Sequence, residues 1–409
     1  MGVIWVVHEA SKLGFENGHP DWCNLGQGQP EVGQMAGAPP RITRVELDPG
    51  DQAYGPIGGT VELREAVAAD INRQHRQGMS SQYGPDNISV AMGGRLALSR
   101  ALAALAPTTI GYQIPDYTAY QDMLELHLAR LSPVCLRAHE EDGFRLPPER
   151  IRRAIDEHGL GALMLSNPCN PTGGTIAGDE LKQLVALGRE RDMLLLLDEF
   201  YSHFIYTKGA DGSWGPADGP VSAAAYVEDV DRDPVLLFDG LTKNHRYPGW
   251  RVGWIAGPPD MIETINRVGS ALDGGPSRVA QRAAMAALQP DVAQQETSAV
   301  RAEFAKKRDV MVQRLTALGV RFACEPESTF YVWGCLDGLP EPLNDSMAFF
   351  RRALELKVMT VPGPFFDVNP GGRRPGTSPY TSWMRFSFGP PMDNLVLGLD
   401  RLEQMLKQA

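Results

Sequence analysis

Four short segments of this chain gather residue types that can do chemistry together. The first is Ser166-Asn-Pro-Cys-Asn-Pro-Thr-Gly-Gly174, rich in turn formers and hydrogen-bonding side chains. The second is Asp198-Glu-Phe-Tyr201, two carboxylates and a phenol directly after an apolar run. The third is Gly240-Leu-Thr-Lys243, running on to Pro248-Gly-Trp-Arg251. The fourth is Met384-Arg-Phe-Ser387, which sets Arg385 inside the apolar stretch Trp383 to Phe388. A lysine in a partly desolvated, cationic pocket has a lowered pKa and can form an imine. The same amine, once free, can shuttle a proton. An arginine offers two parallel donors to a carboxylate or a phosphate. Gly93-Gly94-Arg95 falls between an expected strand and an expected helix. There, backbone N–H groups can bind an anion, and the missing side chains let it approach closely. Each residue also has an ordinary alternative when taken alone. Asp198 could be a solvated loop carboxylate, Asn170 a turn residue before Pro171, and Tyr117 simple packing. Lys182, Lys306 and Lys307 lie in helical patterns and fit the surface role that most lysines have.

Such residues need a scaffold that brings them to one place. Ile88–Met92, Ala162–Leu165, Met193–Leu197, Val235–Phe238 and Val252–Ala256 are short apolar runs that read as strands. Helical patterns over Arg95–Ala106 and Asp179–Gly188 alternate with them. This alternation predicts βαβ units and a mostly parallel sheet, an α/β fold. Three of the four segments follow strands, and ligands of open α/β sheets bind outside the carboxyl ends of the strands. From about Gln294 to Gly319 the pattern changes to a long amphipathic stripe, Val300, Phe304, Met311, Leu315 and Leu318. A strand at Phe330–Trp333, a helix at Ser346–Leu356, and strands near Val358–Val361 and Trp383–Phe388 then suggest a smaller α+β domain. The expected division is an N-terminal segment 1–45 packing with the small domain, a large domain 46–293 and a small domain 294–409. Residues 1–45 look irregular, and Tyr206–Pro220 reads as a surface loop.

Composition narrows the function. A chain of 409 residues exceeds one ordinary core and fits two domains. The formal net charge of -11 opposes a nucleic-acid partner, which demands a basic footprint. No apolar run is long enough for a membrane span. Met1–Val7 lacks a basic leader and a cleavage site, so no signal peptide is expected. The five cysteines are scattered without metal-ligand spacing, so a reduced, cytoplasmic setting and no metal are expected.

In order and spacing, the four segments resemble the class I/II aminotransferases, pyridoxal-phosphate (PLP) enzymes of fold type I similar to aspartate aminotransferase. The resemblance covers essentially the whole chain. It rests on Asn-Pro-x-Asn-Pro-Thr-Gly, then Asp-x-x-Tyr, then Lys243, then Arg251 eight residues later. It implies a large domain built on a seven-stranded, mostly parallel sheet sandwiched by helices. It also implies pyridoxal 5'-phosphate as cofactor, carried by Lys243 as a Schiff base. Asp198 then holds the pyridinium proton, and Asn170 and Tyr201 hydrogen-bond the phenolic oxygen. Tyr117 stacks on the ring. Gly93, Gly94, Arg95 and Arg251 bind the phosphate, with Tyr54 supplied by a neighbouring subunit, so a homodimer with shared sites is implied. Arg385 grips the substrate α-carboxylate, helped by Asn170 and the backbone near Gly28.

One departure is Gly240, where many relatives carry a serine three residues before the lysine. His245 and Arg246 have no assigned role, Arg246 being open as a substrate or phosphate contact. The expected activity is transfer of an amino group between an L-amino acid and a 2-oxo acid. A PLP lyase, cyclase or synthase on the same scaffold is the alternative, because fold does not fix reaction. No clear second arginine for a distal carboxylate is visible, and the amino acid is not named by the sequence.

Overall fold

The most apolar run shows how the molecule is layered. In the computed structural model, which describes residues 2–408, Leu194–Asp198 is a strand with every residue buried. Leu194 and Leu196 join one hydrophobic cluster, Leu195 and Leu197 another. Side chains alternate across a strand, so this one separates two cores, and both faces of its sheet are covered. Each buried leucine contributes roughly 1.5–3 kcal/mol, and four in succession hold this strand in the middle of the sheet.

That sheet has seven strands. They run in the order Ile88–Ala91, Gly253–Ala256, Val235–Gly240, Leu194–Asp198, Ala162–Ser166, Thr108–Ile114 and Leu131–Arg137. Pairing is parallel from Val235–Gly240 through to Leu131–Arg137, while Gly253–Ala256 runs antiparallel to both neighbours. The fold is thus α/β with a mostly parallel sheet. Helices Gly94–Ala104, Pro148–His158 and Gly178–Glu190 lie between successive strands in the chain. Leu131–Arg137 is the edge strand and only part of it is buried. An edge position tolerates its Pro133, since a proline donates nothing to the ladder.

A second sheet of four strands lies further along the chain, ordered Arg321–Phe322, Tyr331–Cys335, Trp383–Ser387 and Val361–Pro362. All of its pairs are antiparallel. The helix Pro290–Ala317 precedes it and buries Val300, Phe304, Met311 and Leu315 of the stripe expected from sequence, while Leu318 lies at its C-cap and is half-buried. Lys307 on this helix departs from the expected surface role. It is fully buried, its Nζ 2.5 Å from a Glu31 carboxylate oxygen and donating to the Pro390 carbonyl at 2.7 Å. A buried ammonium requires such partners, and they tie the helix to the N-terminal segment.

Two other expectations change. The N-terminal segment is not irregular throughout. Gly2–Ser11 is a helix whose Trp5 ring lies 5.4 Å from Phe350 and 5.3 Å from Phe365. Further on, Cys23–Asn24 pairs in parallel with Val358–Met359. The stretch Tyr206–Pro220 is more than a loop. Tyr206–Lys208 and Trp214–Pro216 form a hairpin, closed where the Gly209 N–H donates to the Ser213 carbonyl at 2.7 Å. Its Gly and Asp residues make the turn, so their density hid two short strands. Met1 and Ala409, the outer ends of the expected segments, lie outside the described residues.

Candidate active site

A cavity of about 570 Å³ opens beyond the carboxyl ends of the central strands. Asp198 ends the strand Leu194–Asp198, and by alternation it faces the same side as Leu194 and Leu196. There it lines the cavity. Glu199, the competing carboxylate, points the other way. It accepts from Ser222 Oγ at 2.5 Å and from the Ala223 N–H at 2.8 Å. Register therefore decides between the two acids. Burial lifts the Asp198 carboxyl to about 6, against the pull of a Tyr120 hydroxyl donating to Oδ2 at 2.9 Å. It is ionised at neutral pH.

Lys243 lies in the turn after the strand Val235–Gly240 and is half-buried, exposed to the cavity it lines. Its Nζ donates to the Gly28 carbonyl. Burial, then the nearby Arg385 charge, bring its amine down to about 7 from the usual 10.5, while Asp198 opposes them. Thr242, beside it, also lines the cavity, and its buried Oγ1 has no hydrogen-bond partner among the described residues.

Arg385 reaches the cavity from the other sheet, on the strand Trp383–Ser387. It is 1% exposed, and among the described residues no carboxylate is ion-paired with it. Its Nη1 donates to Asn170 Oδ1 at 2.9 Å and its Nη2 to the Gly26 carbonyl at 2.8 Å, while Nε has no partner among the described residues. Asn170 sits in the turn after the strand Ala162–Ser166, its N–H donating to Ser166 Oγ at 3.2 Å. A buried guanidinium held only by neutral acceptors is a site for an anion.

Arg95, on the helix Gly94–Ala104, donates from Nε to the Tyr117 hydroxyl at 3.0 Å. Arg251 lies at the cavity rim and donates to the Pro248 carbonyl at 2.9 Å. Gly93, at φ 85°, caps the helix. A Cβ there would collide with the Arg251 guanidinium, and one at Gly94 with the Phe200 ring. The two glycines thus let the Arg251 guanidinium and the Phe200 ring pack directly against the backbone at the start of the helix. Among the residues lining the cavity, the cations Arg95, Lys243, Arg251 and Arg385 face a single carboxylate, Asp198.

The structure thus brings Gly28, Gly94, Arg95, Tyr117, Asn170, Asp198, Tyr201, Lys243, Arg251 and Arg385 to one cavity, with Gly93 beside it. Tyr54 stands apart, fully exposed. Arg246 is also elsewhere. It is buried, bonded to Glu296 at 2.7 Å and to the Glu31 and Gly33 carbonyls, and so braces the N-terminal segment. His245 is buried too, and burial pushes its imidazole down to about 4. The sequence reading missed Tyr120, Tyr331 and the wall made by Val3, Val6 and Val7. No motif marks that wall. Tyr120 lies in the first turn of the helix Ala119–Glu125, and its N–H donates to the Tyr117 carbonyl at 3.0 Å, the turn that sets the two rings 5.5 Å apart. Among the described residues no cluster of His, Cys, Asp or Glu is arranged to hold a metal ion, and no helix is long and apolar enough to cross a membrane.

Comparison with known proteins shows the family. Residues 20–402 match the family model for aminotransferase class I and II. The chain belongs to the class I and II aminotransferases. This aminotransferase is 30% identical over 371 residues to the aspartate/prephenate aminotransferase of Thermus thermophilus, covering 90% of this chain and 86% of that one. It is 26% identical over 397 residues to the aspartate aminotransferase of Bacillus subtilis, covering 96% and 92%. The structure of the Thermus thermophilus aspartate aminotransferase with maleate superposes with a TM-score of 0.79 at 25% identity, over 99% of this aminotransferase and 97% of that chain. The family depends on PLP, and its members act on amino acids and 2-oxo acids.

Proposed function

We propose that this aminotransferase carries pyridoxal 5'-phosphate on Lys243 and moves an amino group from an L-amino acid to a 2-oxo acid. The charge arrangement of the cavity carries the reading: a half-neutral amine, one ionised carboxylate, and a buried arginine without an acidic partner. The residues fit the cofactor. Gly93 lets the Arg251 guanidinium approach the helix N-terminus closely, and Thr242, whose buried hydroxyl has no partner among the described residues, lines the same cavity as Arg251 and Arg95. These groups would hold the phosphate, Tyr117 the ring face, Asn170 and Tyr201 the phenolic oxygen, and Asp198 the ring nitrogen.

When bound, the cofactor supplies an electron sink for the charge left when a bond to the substrate α-carbon breaks. The chain does the rest. Arg385 holds the α-carboxylate with two donors, which fixes which α-bond faces Lys243. The Lys243 amine, near neutral pH half-deprotonated, takes and returns a proton. Asp198 stays charged and favours the protonated ring. Val3, Val6 and Val7 add an apolar stretch to one wall.

The test is stoichiometry. An aminotransferase given an amino acid without an acceptor releases about one oxo acid per site and stops, since the amino group has nowhere further to go. Adding a 2-oxo acid restores turnover. Aspartate heads the donors to assay, because the relatives named above are aspartate aminotransferases. Sustained product release without acceptor would replace this reading with a lyase, cyclase or synthase.

The reading extends to a homodimer with shared sites. Tyr54 is fully exposed and outside its own cavity, next to Gly55-Pro-Ile-Gly58. Ile42, Val45, Trp250 and Val279 line a shallow apolar hollow of the kind that a second subunit covers. Mixing Lys243→Ala subunits with Tyr54→Phe subunits yields hybrids with one doubly defective and one intact site. Such mixtures are expected to regain activity that neither variant has alone. Hybrids that form but stay at the parental level count against sharing.

A further inference from the structure

Tyr331 is fully buried, lines the cavity, and touches two of its working groups at once. Its hydroxyl lies 2.9 Å from the Tyr201 hydroxyl. Its ring lies beneath the Arg385 guanidinium, with Cζ 4.1 Å from the ring centroid. The sheet explains the second contact. Tyr331 pairs in register with Ser387, so Arg385 is its diagonal neighbour on the same face. Phe366 faces the same guanidinium at 5.1 Å. The first contact joins the sheets, for Tyr201 belongs to the turn beyond Leu194–Asp198.

Two phenols sharing one hydrogen bond have a direction. Each carries one proton. When Tyr331 donates, Tyr201 keeps its own proton for whatever lies in the cavity. When Tyr201 donates, it turns lone pairs toward the cavity instead. We propose that Tyr331 is a positioning residue that donates to Tyr201, frees the Tyr201 proton for the cofactor's phenolic oxygen, and supports Arg385 from below. The cation over its ring favours this direction: Arg385 lies 4.1 Å from the Tyr331 ring centroid, nearer than Lys243, 5.9 Å from that of Tyr201, and stabilises negative charge gathering on the Tyr331 oxygen more strongly. Burial raises both phenols, and the Arg385 guanidinium, which counters this at each, lies directly over the Tyr331 ring. The more acidic phenol is the better donor. One residue thus links the group that binds the substrate carboxylate to the group that faces the cofactor.

This rests on the cofactor reading above, and the experiment separates the two. The probe is the PLP-loaded protein, and the readout is the pH midpoint of the visible absorption band of the Lys243-bound cofactor. A donor at the phenolic oxygen stabilises its anionic form and so holds that midpoint down. Tyr331→Phe is expected to raise the midpoint by about 0.5–1 unit, the scale of one hydrogen bond. In a Tyr201→Phe background the same change is expected to add nothing. A lowered or unmoved midpoint overturns the assigned direction. For the ring, Tyr331→Phe is expected to keep the amino acid KM within about twofold, and Tyr331→Leu to raise it about tenfold through the lost cation–π contact. Equal KM values in the two variants overturn that half. A wild-type protein without a visible band bound at Lys243 overturns the cofactor reading and this proposal with it.

Discussion

Replacing Lys243 with alanine is expected to abolish turnover and the covalent attachment of PLP while leaving the fold intact. Loss of a positioned proton carrier alone accounts for roughly 10²- to 10⁴-fold, and loss of the attachment adds to it. The side chain sits in a turn, half-buried and facing a cavity, so its removal opens no void in either hydrophobic cluster. Borohydride reduction of the PLP-loaded wild type followed by peptide mapping is expected to place the label on Lys243. A label on any other lysine sinks the assignment. The amine also has a pH signature. Burial and Arg385 lower it to about 7, so its neutral, reactive fraction rises through pH 7 and is complete well below the usual 10.5. In cofactor-free protein, the rate of Lys243 labelling by an acylating reagent, followed by mass spectrometry, is expected to show that midpoint. A midpoint near 10 means that the amine is solvated and the cavity electrostatics argued above are wrong.

Much of this was legible in the sequence, and the reasons differ from place to place. Leu194–Leu197 announced a strand covered on both faces, because only such a strand has no polar side to display. Asp198 was legible as the chain's exit from that strand, but its preference over Glu199 required the alternation that places one acid in the cavity and the other against Ser222. Arg385 stood out as a charge inside an apolar strand. Its lack of an acidic partner became visible only once Asn170 and Gly26 were seen to hold it. Strands Thr108–Ile114 and Leu131–Arg137 lay hidden. The second is an edge strand with a proline and exposed polar residues, and it has no pattern of its own. Lys307 and Arg246 were the other blind spot. Nothing in a helical pattern distinguishes a solvated lysine from one buried against a distant glutamate, since Glu31 lies far away in sequence and meets Lys307 only through the fold. The valines of the N-terminal helix were likewise unreadable as a cavity wall. Their role depends on where that helix docks, which is set by contacts such as those of Trp5 with Phe350 and Phe365.

Substituting Asp198 with asparagine is expected to leave PLP bound at Lys243 yet lower kcat by roughly 10²- to 10³-fold, the scale seen when one preorganised electrostatic partner is removed. The side chain has nearly the same shape and can still accept from the Tyr120 hydroxyl, which now donates at 2.9 Å. What disappears is the negative charge, and with it the stabilisation of a protonated ring nitrogen. A drop in kcat alone could follow from any disturbance of the site, so a second readout is needed. Asp198 opposes the lowering of the Lys243 amine. Removing its charge disfavours the ammonium form further, and the Lys243 labelling midpoint in cofactor-free protein is expected to move below about 7. Neutral packing damage that let water into the cavity would move it the other way, toward the solvated value. An Asp198→Glu variant keeps the charge and is expected to hold the midpoint near the wild type even where its longer side chain costs activity. If the asparagine variant keeps wild-type kcat, or if its midpoint rises, Asp198 is not the charge that faces the ring nitrogen. Glu199 cannot take over that role from its place beside Ser222 without breaking the bonds that now hold it at 2.5 and 2.8 Å. Burial raises that second acid to about 8, above the Asp198 carboxyl. Of the two adjacent carboxyls, the one facing the cavity is the more acidic.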